Sequence, residues 1–409
     1  MPRPPRFLAA VVAAGVLAAG CSGDNEDRGG ARRATGKPLP VGMINMEDSP
    51  TGSFPEVRRD AEAAVRYVNE ELRGVHNRPL QLEVCRTQGT AESSQACANQ
   101  LRAKSPVAVL GGVDLGASAS LPVLERAKIP YVTLTPALGE ELASPWSFAL
   151  AGGLAADLLG QAEYITATLQ AKKVGIVHLD LPGLQEAAVL AAQTVLKKRG
   201  VTDLKIVSEK ADAADFIPAV RSATAASPDV LIAVFPAQGC TRVLQATQAL
   251  RVRARIFFPS ACGAQEVFDA GGAAARGVTF SAAVLPYTAT DNPEVATFRD
   301  KLRQYGPGDA NPSLLSAAGF SLVMNLHRLL NSLGEGSLNA DKLTEKLKAT
   351  RDEPSFMGHP YSCNGRQVRL LPSVCSASVR LLQYEGDGKF TDVTGSWVSG
   401  AALLELLTG

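Results

Sequence analysis

The chain is poor in most of what carries chemistry. Aromatic residues are 5% of its 409 positions, histidines number four, and the formal net charge is +1 with no basic run. Near-neutral charge without a basic stripe argues against a nucleic-acid partner. The histidines, His76, His178, His327 and His359, are scattered, and none stands beside a cysteine, a serine or a second histidine suited to nucleophilic catalysis. His178 falls inside an apolar strand-like run, where a hydrogen-bonded core histidine is the ordinary occupant. GxSxG, GxxxxGK[ST] and HExxH are all missing, and Gly111-Gly112 followed by Gly116 does not make the GxGxxG fingerprint. CxxC spacing is absent too, so no metal site and no cofactor is expected. Asp114 and Asp180 admit two readings, an acid–base pair or two acids at strand ends beside a cleft. The expectation is a protein that is not an enzyme.

What remains is an ordinary folded composition, 46% apolar and 20% charged, and a length that favours two domains over one core. The N-terminus stands apart. Arg3 and Arg6 precede the apolar segment Phe7–Ala19, which is too short to span a bilayer comfortably. Leu17-Ala18-Ala19-Gly20-Cys21 closes it in the manner of an export signal with a lipidation site. Residues 1–20 are expected to be a signal peptide, Cys21 a lipid anchor to the membrane, and residues 21–38 a flexible tether reaching roughly 20–25 Å.

Seven cysteines include Cys21; the other six fall as neighbours, Cys85 with Cys97, Cys240 with Cys262, Cys363 with Cys375. Six cysteines allow fifteen connectivities, so the order alone does not fix them. Export places the chain where disulfides persist, and three local bridges are expected.

The centre of the organisation is Val107–Ala137. Val107–Leu110 reads as a strand buried on both faces. The small-residue loop Asp114-Leu115-Gly116-Ala117-Ser118 follows, then a helix opening at Leu121 with Pro122 in its first turn, then the strand-like Ile129–Leu134 stopped by Thr135-Pro136. Strand, helix and parallel strand in so few residues make a right-handed βαβ unit, whose carboxyl ends collect ligands. The same alternation recurs after Ala151-Gly152-Gly153, with strands at Val174–Leu179, Val230–Phe235 and Ile256–Phe258. The tail changes style, and Tyr361–Pro372 with Val379–Tyr384 suggests an antiparallel ending. The expected fold is α/β, two interleaved doubly wound lobes with a central parallel sheet each. Lobe 1 takes 39–150 plus 283–355, and lobe 2 takes 151–282 plus 356–400.

In this order the stretches VGMINMEDSPTGSF, NRPLQLEV, VAVLGGVDLGASASLPVLERAKIPYVTLTPA, KKVGIVHLD and AARGVTFSAAVLPY resemble the type I periplasmic-binding-protein family. Within it the likeness is to the branched-chain amino-acid-binding branch, solute-binding components of ABC importers. The resemblance implies a small-molecule ligand between two lobes and ABC permease subunits as partners. A ligand-sensing or structural lipoprotein of the same fold is the alternative, and an exported enzyme a remoter one. It implies a site at Asp114, Leu115, Gly116, Ala117, Ser118, Thr135, Pro136 and Ala137 on one lobe, and Asp180, Pro236, Gln238 and Ser260 on the other. The chain departs from the amino-acid binders where it matters. Gly116 and Gly139 fall where hydroxyls are usual, Pro236 near an expected aromatic, and Ala261-Cys262 near the acid that meets an ammonium. Free backbone N–H groups on the first lobe then suggest a neutral or anionic, partly apolar ligand that is not a free α-amino acid.

Overall fold

The computed structural model describes residues 33–49, 52–137, 139–189, 195–308 and 312–401. The expected signal peptide and the lipid-anchor cysteine, Cys21, lie outside the described residues. The tether expected to run free to Pro38 does not do so throughout. Ala34 is buried and donates its N–H to the Asn69 carbonyl at 2.8 Å, and Gly36 donates to Asn77 O at 2.7 Å.

Short apolar runs rich in Val, Ile and Leu make two sheets. The first joins β1 (Leu39–Met46), β2 (Leu80–Thr87), β3 (Val109–Gly111), β4 (Tyr131–Thr133) and β5 (Ser147–Ala149) in the order β2-β1-β3-β4-β5. Every pairing in it is parallel. The second contains β6 (Lys173–Leu179), β7 (Asp203–Glu209), β8 (Val230–Val234), β9 (Arg255–Phe258), β10 (Thr279–Ala282), β11 (Ser378–Gly386) and β12 (Lys389–Asp392). Its order is β12-β11-β10-β9-β8-β6-β7, with β13 (Val398–Ser399) paired to β11. Here β11 and β12 run antiparallel beside a parallel core. The fold is α/β with two lobes.

The chain leaves the first sheet at Ala149, and the next helix, Gly153–Glu163, packs on β10, β11 and β13. Gly153 carries φ +52°, and a side chain there would run into the Pro136 carbonyl, so this crossing needs a glycine. The chain returns after β10. The helices Pro293–Tyr305 and Ser316–Asn331 cover the helix Pro55–Glu70 of the first lobe. Gly319 sits directly on the Val57 carbonyl, Phe320 lies 6.5 Å from the Tyr67 ring centre, and Lys301 pairs with Glu71 at 2.8 Å.

Three details differ from the sequence reading. The strand of the central βαβ unit starts at Val109 and includes Gly111, which leaves room for the Tyr131 ring rather than ending the strand. The following helix begins at Ala117, which places Pro122 in its interior. There the missing N–H would have paired with the carbonyl of Ser118, an exposed residue of the first turn, so the carbonyl left without that partner lies at the surface. Tyr361–Pro372 forms no strand. It belongs to a third crossing, in which Cys375 N–H donates to Ala149 O at 2.8 Å and Val374 bridges Ala149 in parallel at the edge of the first sheet.

All three cysteine pairs are joined: Cys85–Cys97, Cys240–Cys262 and Cys363–Cys375, with Cα separations of 5.4, 5.9 and 4.3 Å. The first ties β2 to the helix Ala91–Arg102, and the last clasps the third crossing. Cys240–Cys262 joins the first turn of the helix Ala237–Ala249 to the turn after β9.

Candidate functional site

The carboxyl ends of the parallel strands of both sheets face one cleft. From the first lobe it is lined by Met46, Phe54, Val113 and Leu115, and by Leu134, Thr135, Pro136 and Ala137. Buried Asn45, at the end of β1, holds these loops together. Its amide donates to Phe54 O at 2.8 Å and to Glu47 Oε1 at 3.1 Å, and its Oδ1 accepts Val113 N–H at 3.1 Å. Glu47 is fixed by a two-point bond from Arg58, Nε to Oε1 at 2.8 Å and Nη2 to Oε2 at 3.1 Å.

Asp114 does not face the cleft. It is fully buried beneath its own loop, where Oδ1 accepts Gly116 N–H at 3.0 Å and the Ser94 hydroxyl at 2.5 Å, and Oδ2 accepts the Ser120 hydroxyl at 2.9 Å. Burial raises its pKa above the ordinary aspartate range although the three hydrogen bonds oppose the rise. Glu141 plays a similar part under the next loop. It is fully buried, takes Ala137 N–H at 2.7 Å on Oε2, and takes the Tyr131 hydroxyl at 2.9 Å on Oε1. Thr135 N–H donates to Thr133 Oγ1 at 3.0 Å, and its hydroxyl donates to Gly112 O at 2.9 Å. Four N–H groups of these loops, those of Val113, Gly116, Thr135 and Ala137, are therefore taken by the protein's own acceptors instead of standing free for an anion.

The second lobe contributes Gly153, Leu154, Asp157, Leu179, Leu181, Leu184, Val234, Phe235 and Pro236, with Pro259, Ser260 and Ala261. Ala283, Leu314, Leu315 and Ala318 complete the lining. Leu314 N–H reaches across to the Gly263 carbonyl at 3.0 Å. The gap holds about 800 Å³ of empty space, its solvent-open mouth included. Both sulfurs of Cys240–Cys262 lie against the Phe235 carbonyl, at 3.5 and 3.4 Å. The bridge so ties Phe235-Pro236 to Ser260-Ala261 from behind.

Among the described residues one ionisable side chain lines this cleft, Asp157, 2% exposed. Its Oδ2 accepts both the N–H and the hydroxyl of Ser260 at 3.0 Å. Burial lifts its pKa to about 7, the two Ser260 bonds opposing. Four residues on from Asp157, Gln161 is buried and donates to Phe258 O at 2.9 Å and Ser281 Oγ at 2.7 Å, fixing the helix to β9 and β10.

Of the residues singled out from sequence, Leu115, Thr135, Pro136, Ala137, Pro236 and Ser260 come together on the lining. Asp114, Gly116 and Ala117 are buried behind it, and Ser118, Asp180 and Gln238 are exposed and off it. Gly116 presses on Thr90 and Ser94, where a Cβ would overlap both. Asp114 and Asp180 stand on different lobes and form no pair. Buried His178 sets Nδ1 2.9 Å from the Leu179 carbonyl. Sequence reasoning passed over Asp157, yet a signal was present: it is the one charge within Leu150–Ala162. Met46, Phe54, Leu314 and Leu315 were missed with no such signal. Among the described residues no cluster of His, Cys, Asp and Glu suits a metal ion, and no helix is long and apolar enough to cross a membrane.

Solved structures share this architecture. A fatty acid ABC transporter substrate-binding protein from Thermomonospora curvata superposes with a TM-score of 0.77 at 12% identity, covering 91% of this chain and 95% of that one. A possible leucine/isoleucine/valine-binding protein from Rhodopirellula baltica SH 1 gives 0.74 at 15%, covering 87% and 96%. The branched-chain amino acid transporter substrate-binding protein of Streptococcus pneumoniae, in complex with isoleucine, gives 0.69 at 14%, covering 87% and 98%. At such identities the likeness is one of fold. No curated protein sequence matches the chain. Residues 38–374 match the family described as periplasmic binding protein. With most of its length matched and two α/β lobes facing one cleft, in the fold these structures share, the chain belongs to the periplasmic binding protein family.

Proposed function

We propose that this protein is the solute-binding lipoprotein of an ABC importer. It is anchored through Cys21 on the extracytoplasmic face, captures a small, mainly apolar molecule between its lobes and delivers it to permease subunits. The observation that carries the reading is the lining of the cleft: apart from Gly153, Thr135, Asp157 and Ser260, every residue on it is apolar. A pocket of that kind gains affinity from buried apolar area and takes orientation from a few polar atoms. Two structural neighbours are described with apolar-bodied ligands, fatty acid in one and isoleucine in the other.

A free α-amino acid fits poorly. Its carboxylate would meet no Lys, Arg or His on the lining, and the neighbouring N–H groups of Val113, Gly116, Thr135 and Ala137 are already bonded. An anion buried without partners is strongly disfavoured. Calorimetry with leucine, isoleucine and valine is the test, and each is expected to bind more weakly than about 1 mM. Micromolar binding of any of them refutes this ligand class. Mass spectrometry of the molecule that copurifies with the exported protein names the solute. For the anchor, Cys21→Ala is expected to move the protein from the membrane fraction to the soluble one; a wild-type mature chain without diacylglyceryl mass at Cys21 rules it out.

A further inference from the structure

Among the described residues, the side-chain polar atoms left open to the cleft are all acceptors. On the first lobe the hydroxyl hydrogen of Thr135 is spent on Gly112 O, and the N–H groups of Val113, Gly116, Thr135 and Ala137 end on Asn45, Asp114, Thr133 and Glu141. On the second lobe the Ser260 N–H and hydroxyl are spent on Asp157 Oδ2. Asp157 Oδ1 has no hydrogen-bond partner among the described residues, and it belongs to a side chain almost wholly buried in the cleft wall. A wall whose side chains accept and do not donate complements a ligand that donates. Two further buried carboxyl groups, Asp114 and Glu141, stand close behind the first-lobe loops, and among the described residues no cationic side chain lines the gap. Both facts disfavour an anion.

We infer that the solute is an apolar molecule whose polar head donates hydrogen bonds to Asp157, an ammonium or a hydroxyl, and carries no carboxylate. This rests on the reading of the cleft as the solute site and adds the chemistry of the head. It replaces the neutral-or-anionic expectation, which assumed free N–H groups on the first lobe. An ammonium gains most from the ionised carboxylate, because a charge-assisted bond in a water-poor cleft is about twice as strong as a neutral one. Since burial raises the Asp157 pKa to about 7 and no other ionisable side chain among the described residues lines the cleft, amine binding strengthens as the pH rises through 7 and alcohol binding changes little.

The test is calorimetry on the exported protein with three probes of equal chain length, n-hexylamine, 1-hexanol and hexanoate, at pH 6 and pH 8. At pH 8 the amine is expected to bind at least about tenfold more tightly than hexanoate, with the alcohol between them. An alcohol as tight as the amine assigns a hydroxyl head and also supports the inference. In Asp157→Asn the amine advantage should shrink to less than about threefold, with hexanol binding kept. The wild-type pH pair tests the same claim if that variant does not fold. Hexanoate binding as tightly as the amine overturns the inference and leaves the cleft standing as a binding site. Failure of all three probes to bind overturns both.

Discussion

The two walls of the cleft treat buried carboxyl groups in opposite ways. In the first lobe Asp114 and Glu141 turn inward and spend themselves on N–H and hydroxyl groups of the lining loops. In the second lobe Asp157 turns one oxygen inward to Ser260 and leaves the other toward the gap. All three are buried and held by neighbours, yet only the last has an atom left for a visitor. A saturated wall holds a shape; an unsaturated atom selects. The difference separates the scaffold of this site from its chemistry, and it can be attacked from either side.

The largest expected effect is on the scaffold side. Asp114→Ala removes the acceptor of Gly116 N–H and of two seryl hydroxyls, and buried donors left unpaired cost about 1–3 kcal/mol each. A loss of about 3 kcal/mol or more in urea unfolding is expected; a loss under about 1 kcal/mol would mean the loop does not depend on it. Next is the pair Cys240→Ser with Cys262→Ser. It frees a loop of 22 residues behind the second wall and should cost about 2–4 kcal/mol. Ligand affinity should fall with it, because Phe235-Pro236 and Ser260-Ala261 lose their common brace. Gly116→Ala comes third, at about 1–3 kcal/mol, since the new methyl overlaps the Thr90 carbonyl and the Ser94 hydroxyl.

A pH series sharpens the comparison further. Asp157 and Asp60 are both raised by burial from 3.8 to about 7, and Glu56 from 4.5 to about 7. The folded protein thus holds protons that the unfolded chain releases from about pH 4 upward. Their contribution to stability is complete below that range and is lost as the pH rises through 7. Unfolding midpoints should therefore be lower at pH 8 than at pH 5, and Asp157→Asn or Asp60→Asn should flatten the slope; an unchanged slope in both variants contradicts the assignment. The smallest expected change in stability is at Ala137→Trp, within about 0.5 kcal/mol, because its side chain lies on the open lining. The same substitution should abolish ligand binding by filling the gap.

The strands and crossings were legible because parallel strands are buried on both faces and read as plain apolar runs: Val174–Leu179, Val230–Val234 and the turn at Ala151–Gly153 needed no distant partner. The disulfides were legible from proximity. The site was legible only where small residues sit at strand ends, as at Thr135-Pro136-Ala137. Which way Asp114 points is decided by Ser94, twenty residues upstream on another helix, and nothing local to Asp114-Leu115-Gly116 records it. Gly116, expected in the ligand site, instead makes room for Thr90 and Ser94. Leu314 and Leu315 reach the cleft only because the chain returns to the first lobe after β10. Asp157 was overlooked because attention went to loops, while this acid lies in the first turns of a helix.

That return has a consequence for how the protein is made. The helix Pro55–Glu70 presents Val57, Ala61, Ala64 and Val68 to partners that include Phe320 and its neighbours, encoded far downstream. At about 5–20 residues per second, synthesis takes on the order of 10–40 s to proceed from Ala149 to Ala349. Through that interval the first five strands exist without the cover their helix layer requires, while β6 to β10 can already pair among themselves. The amino-terminal half is thus the last to be finished.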